Sequence, residues 1–266
     1  MNPVLHARRV SIRFGGLQAL TDFDLAIRPG ALVGLIGPNG AGKTTAFNVL
    51  TGIYRPTSGE VLLDGRVANG LRPSKIAAGG LARTFQNIRL FKELTVFDNV
   101  RIACHHRVRS GWVRSLLRTP LALREEEAIA ARSRALLERM KLWDRRDELA
   151  KNLPYGEQRR LEIARALAAQ PKCLLLDEPA AGMNSTEKVE LMELIRRIRD
   201  DLGIAILLIE HDMRLVMGIC ERLVVLDHGK QIAAGRPEEI RRDPKVIEAY
   251  LGSQAAERPG QREVGA

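Results

Sequence analysis

Aromatic residues are scarce, only 4% of a 266-residue chain. Single-stranded nucleic acid is gripped largely by stacking bases on aromatic rings, so that mode of binding has little to work with. Cysteines number three (Cys104, Cys173, Cys220), far apart and without CxxC spacing. They suggest neither a disulfide framework nor a zinc-ligand set, and a reducing cytosol fits them best. Long apolar runs are missing too. Stretches such as Ile204 to Ile209 are strand-sized, far short of the ~20 residues of a membrane-spanning helix. The opening MNPVLHARRV lacks the apolar region of a secretory signal, so no signal is expected. No low-complexity tract or internal repeat is visible, which argues against solenoids and arrays.

Hydrophobic residues make up 45% of the chain, enough for one large domain or two small ones. Lys and Arg number 42 against 32 Asp and Glu, a net charge of +10. Such an excess suits nucleic acid, an anionic membrane surface or phosphate-bearing ligands, and composition does not choose among them.

The first 65 residues read as strands and turns. Residues 4–14 and 20–28 alternate, with Gly15-Gly16 and Pro29-Gly30 as punctuation, and residues 60–64 form another strand turning at Asp64-Gly65. Ala31 to Ile36 is continuously apolar, the pattern of a strand buried on both faces. It runs into a Gly-rich turn and a helix over 44–52. Residues 95–103, 123–143 and 157–169 carry helical periodicity and look like a helical insertion. Strand-like runs return at 173–176, 204–209 and 223–226, separated by helical segments at 187–201, 212–219 and 237–250. Strands alternating with helices imply a mostly parallel α/β sheet. Residues 253–266 are small and polar and are expected to be a disordered tail.

Two motifs carry chemistry. Gly37-Pro38-Asn39-Gly40-Ala41-Gly42-Lys43-Thr44 fits GxxxxGK[ST] and lies after a strand and before a helix, the context it requires. Glycines let successive backbone N–H groups turn inward onto phosphate oxygens. The helix N-terminus adds partial positive charge. Lys43 supplies a full charge, and Thr44 offers a hard oxygen to Mg²⁺. The second motif, Cys173 to Pro179, is an apolar strand ending in Asp177 and Glu178. Strand ends are where open α/β sheets bind ligands. Asp177 suits Mg²⁺, directly or through water, and Glu178 suits activation of a water for in-line attack on a γ-phosphate. The competing reading is that Asp177-Glu178-Pro179 only starts a turn and caps the next helix.

With both motifs in place, residues 4–252 resemble the ATP-binding subunits of ABC transporters. The resemblance implies a P-loop NTPase with a RecA-like core, an N-terminal antiparallel β-subdomain and an inserted α-helical subdomain at about 88–168, all in one domain over 1–252. It implies ATP and Mg²⁺ as ligands, with Thr45 completing the phosphate site. Gln86 stands at the Q-loop position, a Mg²⁺ or water contact, although it also reads as an ordinary polar loop residue. Leu153-Pro154-Tyr155-Gly156-Glu157 stands at the signature loop, which in this family serves the ATP bound by the partner subunit. Asn184 stands where the D-loop usually has Asp. His211 matches the switch histidine that contacts the γ-phosphate; a helix cap is its competing reading. Phe14 matches the ring that stacks on adenine; ordinary core is its competing reading.

Within the superfamily, the strings Tyr155 to Arg165, Asp177 to Asn184, Leu207 to Met217 and Val246 to Gly252 resemble ATPases of branched-chain amino acid importers, the LivG type. Urea importer and lipopolysaccharide exporter ATPases share much of them. The implied partners are membrane permease subunits, a second ATPase subunit (an identical or a related chain) and, indirectly, a periplasmic binding protein. The implied location is the cytoplasmic side of the inner membrane, held peripherally. A soluble ABC ATPase acting on nucleic acid or the ribosome is the rival from another class. It usually has two cassettes, long coiled coils or zinc modules, none of which is visible here, so no nucleic-acid partner is expected. A non-catalytic nucleotide-binding scaffold is a third reading, against which Lys43, Asp177, Glu178 and His211 all stand.

Two features remain. Residues 101–124 hold six arginines (Arg101, Arg107, Arg109, Arg114, Arg118, Arg124) and no carboxylate. This stretch is expected either to lie near anionic headgroups or an acidic permease loop or to be a solvated basic face. In the signature loop, Pro154 replaces a serine, losing a hydroxyl and an N–H donor, and Glu157 puts a carboxylate where it repels phosphate if turned inward. Gly156 and the N–H groups after it are left to carry the contact. Pro154→Ser is therefore predicted to raise steady-state ATPase activity or leave it unchanged; a large fall would show this loop to be misread.

Overall fold

The computed structural model describes residues 2–104 and 120–256. In chain order the elements are β1 (Leu5–Phe14), β2 (Leu17–Ile27), β3 (Leu32–Ile36), α1 (Lys43–Leu50), β4 (Ser58–Leu63), β5 (Arg66–Val67), α2 (Pro73–Ala78), β6 (Leu81–Arg83), α3 (Val96–Cys104), α4 (Pro120–Arg139), α5 (Tyr155–Ala168), β7 (Cys173–Asp177), α6 (Ser185–Leu202), β8 (Ala205–Ile209), α7 (Met213–Ile219), β9 (Arg222–Asp227), β10 (Lys230–Gly235), α8 (Pro237–Arg242) and α9 (Pro244–Ala256). They fall into two compact units, Met1–Gly79 with Ala205–Ala266, and Gly80–Ile204.

The first unit is built on a mixed sheet ordered β5-β4-β1-β2-β10-β9-β3-β8. β1 and β2 form an antiparallel hairpin, and β4 lines the other side of β1. Leu5, Ala7, Val10 and Ile12 are the buried apolar positions of β1. Their even spacing breaks between Ala7 and Val10, where the register slips and Arg9 takes φ 42°. The extra residue is a bulge that returns the apolar side chains to one face. β3, by contrast, is flanked by β8 and β9 in parallel pairing, and all of its five residues are buried, as are those of β8. Continuous apolar runs are what parallel strands covered on both faces require. β10 runs antiparallel to β9 and meets β2 through a single pair, Lys230 with Thr21.

The second unit holds the parallel pair β6 and β7 together with α3, α4 and α5, which pack on one another. Val100, Leu137, Met140 and Leu161 belong to its apolar core. α6 begins at a capping box. The Asn184 side chain accepts from the Glu187 N–H at 2.9 Å, and the Glu187 carboxylate accepts from the Asn184 N–H at 3.0 Å. The two reciprocal bonds satisfy donors that a helix start leaves open.

The expected helix over 237–250 is two helices. Asp243, extended at ψ 118°, precedes Pro244, and a residue before proline is driven out of the helical region. α9 then runs to Ala256, into the stretch read as a tail. β5, α2, β6 and β10 were not foreseen. All are short, and β10 (KQIAAG) shows little hydrophobic alternation. All three cysteines are buried thiols outside any disulfide, and complete burial pushes the Cys173 thiol up to about 12. Among the described residues, no helix is long and apolar enough to cross a membrane. Arg107, Arg109, Arg114 and Arg118 lie outside the described residues. Arg101 sits 3.5 Å from Asp98 at the surface, a pair of little energetic weight.

Candidate nucleotide site

In the first unit, β3 delivers the chain into the Gly-rich turn, and α1 leaves it. Gly37 has φ 151°, and a Cβ there would lie 2.1 Å from the Leu226 carbonyl oxygen. Only glycine lets the chain pass β9 so closely. Gly42, at φ 100°, is the N-cap of α1, with its carbonyl accepting from Ala46 N–H at 2.9 Å. Lys43 Nζ donates to the carbonyls of Gly37 (2.7 Å) and Pro38 (2.8 Å), so its ammonium is folded back over its own loop. Asn39 and Gly40 are exposed at the tip, Ala41 is buried, Thr44 is exposed and Thr45 half-buried. No acidic residue occupies the first turn of α1, so the positive end of the helix dipole is left for an anion.

Two aromatic and imidazole candidates lie in the same unit. Phe14 is 43% exposed and meets Tyr54 edge-on, with ring centroids 5.0 Å apart. It is therefore not core, and the ring is available to stack on a base. His211 is 56% exposed, with Nδ1 4.0 Å from the buried Glu210 carboxylate. The cap of α7 is Asp212, which accepts from Arg214 N–H at 3.1 Å. The helix cap that was the competing reading of His211 is the neighbouring residue, Asp212.

The second unit carries the acidic strand. Asp177 is 5% exposed, and its Oδ2 accepts from Arg83 at 2.8 Å. Its backbone N–H donates to Thr84 Oγ1 at 3.4 Å. Glu178 adopts φ 45°, a left-handed conformation costing a non-glycine residue about 1–2 kcal/mol. Gln86 Nε2 donates to Glu178 Oε2 at 3.1 Å, so the Q-loop residue and the second carboxylate are brought together. Neither carboxylate caps the next helix, because Asn184 does so. Arg83 was missed by sequence reasoning. The available signal was an arginine closing a short apolar strand, where a buried cation needs an anionic partner.

The signature residues open α5. Pro154 is its N-cap, and its carbonyl accepts from Glu157 N–H (3.0 Å) and Gln158 N–H (2.9 Å). Gln158 Nε2 donates to the carbonyl of buried Leu153 at 2.8 Å. The Glu157 carboxylate lies 3.0 Å from Arg145 and 3.8 Å from Arg160 and is only 18% exposed. Two guanidiniums thus compensate the charge expected to repel phosphate. Tyr155 is exposed and accepts from Arg159 at 3.2 Å. A Cβ on Gly156 would come no closer than 3.5 Å to any neighbouring atom. The chain itself therefore does not demand glycine at 156.

A glycine cradle opening a helix and a strand ending in two carboxylates define a nucleoside-triphosphate-binding cassette. The sequence comparisons agree. A family model described as ABC transporter matches residues 20–181, and one described as branched-chain amino acid ATP-binding cassette transporter matches residues 230–256. The chain belongs to the ABC transporter ATP-binding family, whose cassettes bind ATP and couple its hydrolysis to transport. It is 49% identical to the high-affinity branched-chain amino acid transport ATP-binding protein LivG of Escherichia coli, over 94% of this chain and 98% of that protein. It is 46% identical to BraF of Pseudomonas aeruginosa over the same shares. The lipopolysaccharide export ATP-binding protein LptB of Acidithiobacillus ferridurans is 36% identical, over 96% and 99%. The ADP conformation of MJ1267, an ATP-binding cassette of an ABC transporter, superposes with a TM-score of 0.82 at 30% identity, covering 95% of this chain and all of that one.

Two outcomes follow from this geometry. Gly37→Ala is expected to abolish binding of a fluorescent ATP analogue, since the loop has no room for the methyl. Asn184→Ala is expected to lower stability to urea by about 1 kcal/mol, whereas Asn184→Asp stays within a few tenths of wild type. A neutral Asn184→Ala would remove the capping role.

Proposed function

We propose that this chain is an ATP-hydrolysing subunit of an importer for branched-chain amino acids. It works on the cytoplasmic side of the membrane, held there by separate permease subunits and paired with a second ATPase subunit, identical or related. A periplasmic binding protein supplies the substrate, and nucleic acid plays no part. Residues 1–252 act as one cassette, with about 88–168 as its helical arm. The observation that carries the catalytic part is the bond from Gln86 to Glu178 at the end of the acidic strand, in a chain that also builds the glycine cradle. The substrate class rests on the likeness to LivG and BraF and on the family match over residues 230–256.

The roles follow from the chemistry of each group. Backbone N–H groups of Gly37 and of Asn39 to Thr45, with the Lys43 ammonium, bind the triphosphate, and Phe14 stacks on the base. Glu178 takes the proton of the attacking water, which Gln86 helps to orient, and His211 holds the γ-phosphate. The donors for Mg²⁺ fit a hard cation. Thr44, an exposed residue, offers a hydroxyl, Gln86 an amide oxygen, and Asp177 a second carboxylate oxygen beside the one facing Arg83. When bound, the ion neutralises charge on the β- and γ-phosphates. In the paired form Leu153 to Glu157 serve the partner's nucleotide, with Gly156 leaving the approach open. The likeness to LptB keeps lipopolysaccharide export, alongside urea import, as the second reading.

Glu178→Gln is expected to cut steady-state ATPase activity by roughly 100-fold or more while ATP is still bound and a dimer accumulates. Wild-type turnover in this variant would favour the scaffold reading. Reconstitution with its permeases should give ATP-dependent uptake of labelled leucine but not urea.

A further inference from the structure

Among the described residues, the most deeply buried cation in the second unit has no part in the roles above. Arg159, in the second turn of α5, is 0% exposed. Its Nη1 donates to the Phe85 carbonyl and to Glu162 Oε2, each at 2.7 Å. Its Nη2 donates to the Gln86 carbonyl at 2.7 Å and to the Tyr155 hydroxyl at 3.2 Å. Glu162 completes the grip from the same helix face. Its Oε1 accepts from Phe85 N–H at 3.4 Å and Arg89 N–H at 3.2 Å. Arg165, one turn further on, donates to the Arg89 carbonyl and stacks over Phe91 at 4.7 Å.

We infer that Arg159 is a positioning residue for Gln86, and that through it the Tyr155 hydroxyl of the signature loop and the Glu178 carboxylate belong to one hydrogen-bonded path. Two consecutive carbonyls, those of residues 85 and 86, are held by one planar guanidinium. Fixing both flanking peptide planes fixes the direction of the Gln86 side chain, which in turn holds Glu178 at 3.1 Å. A planar fork makes these bonds at once, whereas a lysine ammonium offers its donors from a single point. Stability alone does not call for the pair, since apolar packing of similar volume commonly does as well as a buried ion pair. Tyr155 is the exposed end of the path, so whatever engages the signature loop acts on the same network that aims the water-activating carboxylate. The inference rests on the catalytic roles proposed for Gln86 and Glu178.

The test compares Arg159→Lys and Tyr155→Phe in wild-type and Gln86→Ala backgrounds of the full chain, with thermal melting, ATP KM and kcat as readouts. Arg159→Lys is expected to lower kcat by roughly tenfold, and Tyr155→Phe by a few-fold, with KM for ATP within about twofold of wild type. In the Gln86→Ala background neither is expected to lower kcat further, because the residue they act through is gone. An unchanged kcat in either single variant, or an equal fall in both backgrounds, overturns the inference. Should Arg159→Lys fail to fold, the Tyr155→Phe and Gln86→Ala cycle decides alone by the same criterion. Glu178→Gln run alongside separates the two failures: if it retains turnover, the catalytic reading itself is at fault.

Discussion

The arrangement of the phosphate site depends on one steric constraint, the absence of room beside Gly37. A triphosphate concentrates negative charge, and the tightest way to hold it is with backbone N–H groups turned inward at a helix start. That demands a sharp exit from β3, and the exit runs against β9, where a methyl on Gly37 would lie 2.1 Å from the Leu226 carbonyl oxygen. The parallel pairing of β3 with β9 brings that carbonyl alongside. The full burial of β3 between β8 and β9 holds the strand in the sheet interior, where a continuous apolar run belongs. Lys43 then has its own loop's carbonyls as hydrogen-bond partners. The cradle is thus a consequence of the sheet, and the sheet of a five-residue apolar run.

The second unit handles charge differently. Arginine forks hold several of its acidic residues: Arg83 on Asp177, Arg159 on Glu162, Arg145 and Arg160 on Glu157. This bears on the net charge of +10 and on the preference for Arg over Lys. Several of these arginines are not displayed to a polyanion at all. They satisfy carboxylates and loop carbonyls at buried or half-buried positions, where a planar fork makes several bonds at once. Glu178 accepts from the side-chain amide of Gln86.

Much of this was legible in the sequence. Apolar runs gave the buried strands, the GxxxxGK[ST] pattern gave the cradle, and the Asp177-Glu178 pair marked the end of β7. What was not legible has physical reasons. Arg83 and Asp177 are 94 positions apart, and Arg159 reaches a loop more than 70 positions away; no local pattern announces such partners. β10 escaped because its residues, KQIAAG, do not alternate between apolar and polar. Other misses did have signals. Asp243-Pro244 announces the break in the expected helix over 237–250. Asn184-Ser-Thr-Glu187 is a capping box in plain view, overlooked because Asn184 was read only as a D-loop residue.

The signature loop shows how a structure separates what a chain needs for itself from what it offers elsewhere. Pro154 begins α5 without donating anything, and Glu157 is neutralised from its own side of the loop. Both departures from the usual signature are thus absorbed by local bonding. Gly156 is different. It sits in the first turn of a helix, where glycine costs about 1 kcal/mol against alanine, and no atom of the chain comes near enough to forbid a methyl. A residue that is costly and locally unnecessary is most simply explained by something that must approach it from outside. A phosphate bound by a second subunit has the size and charge to do so, which is why the pairing of two such chains, rather than either chain alone, is the natural unit of the proposed reaction.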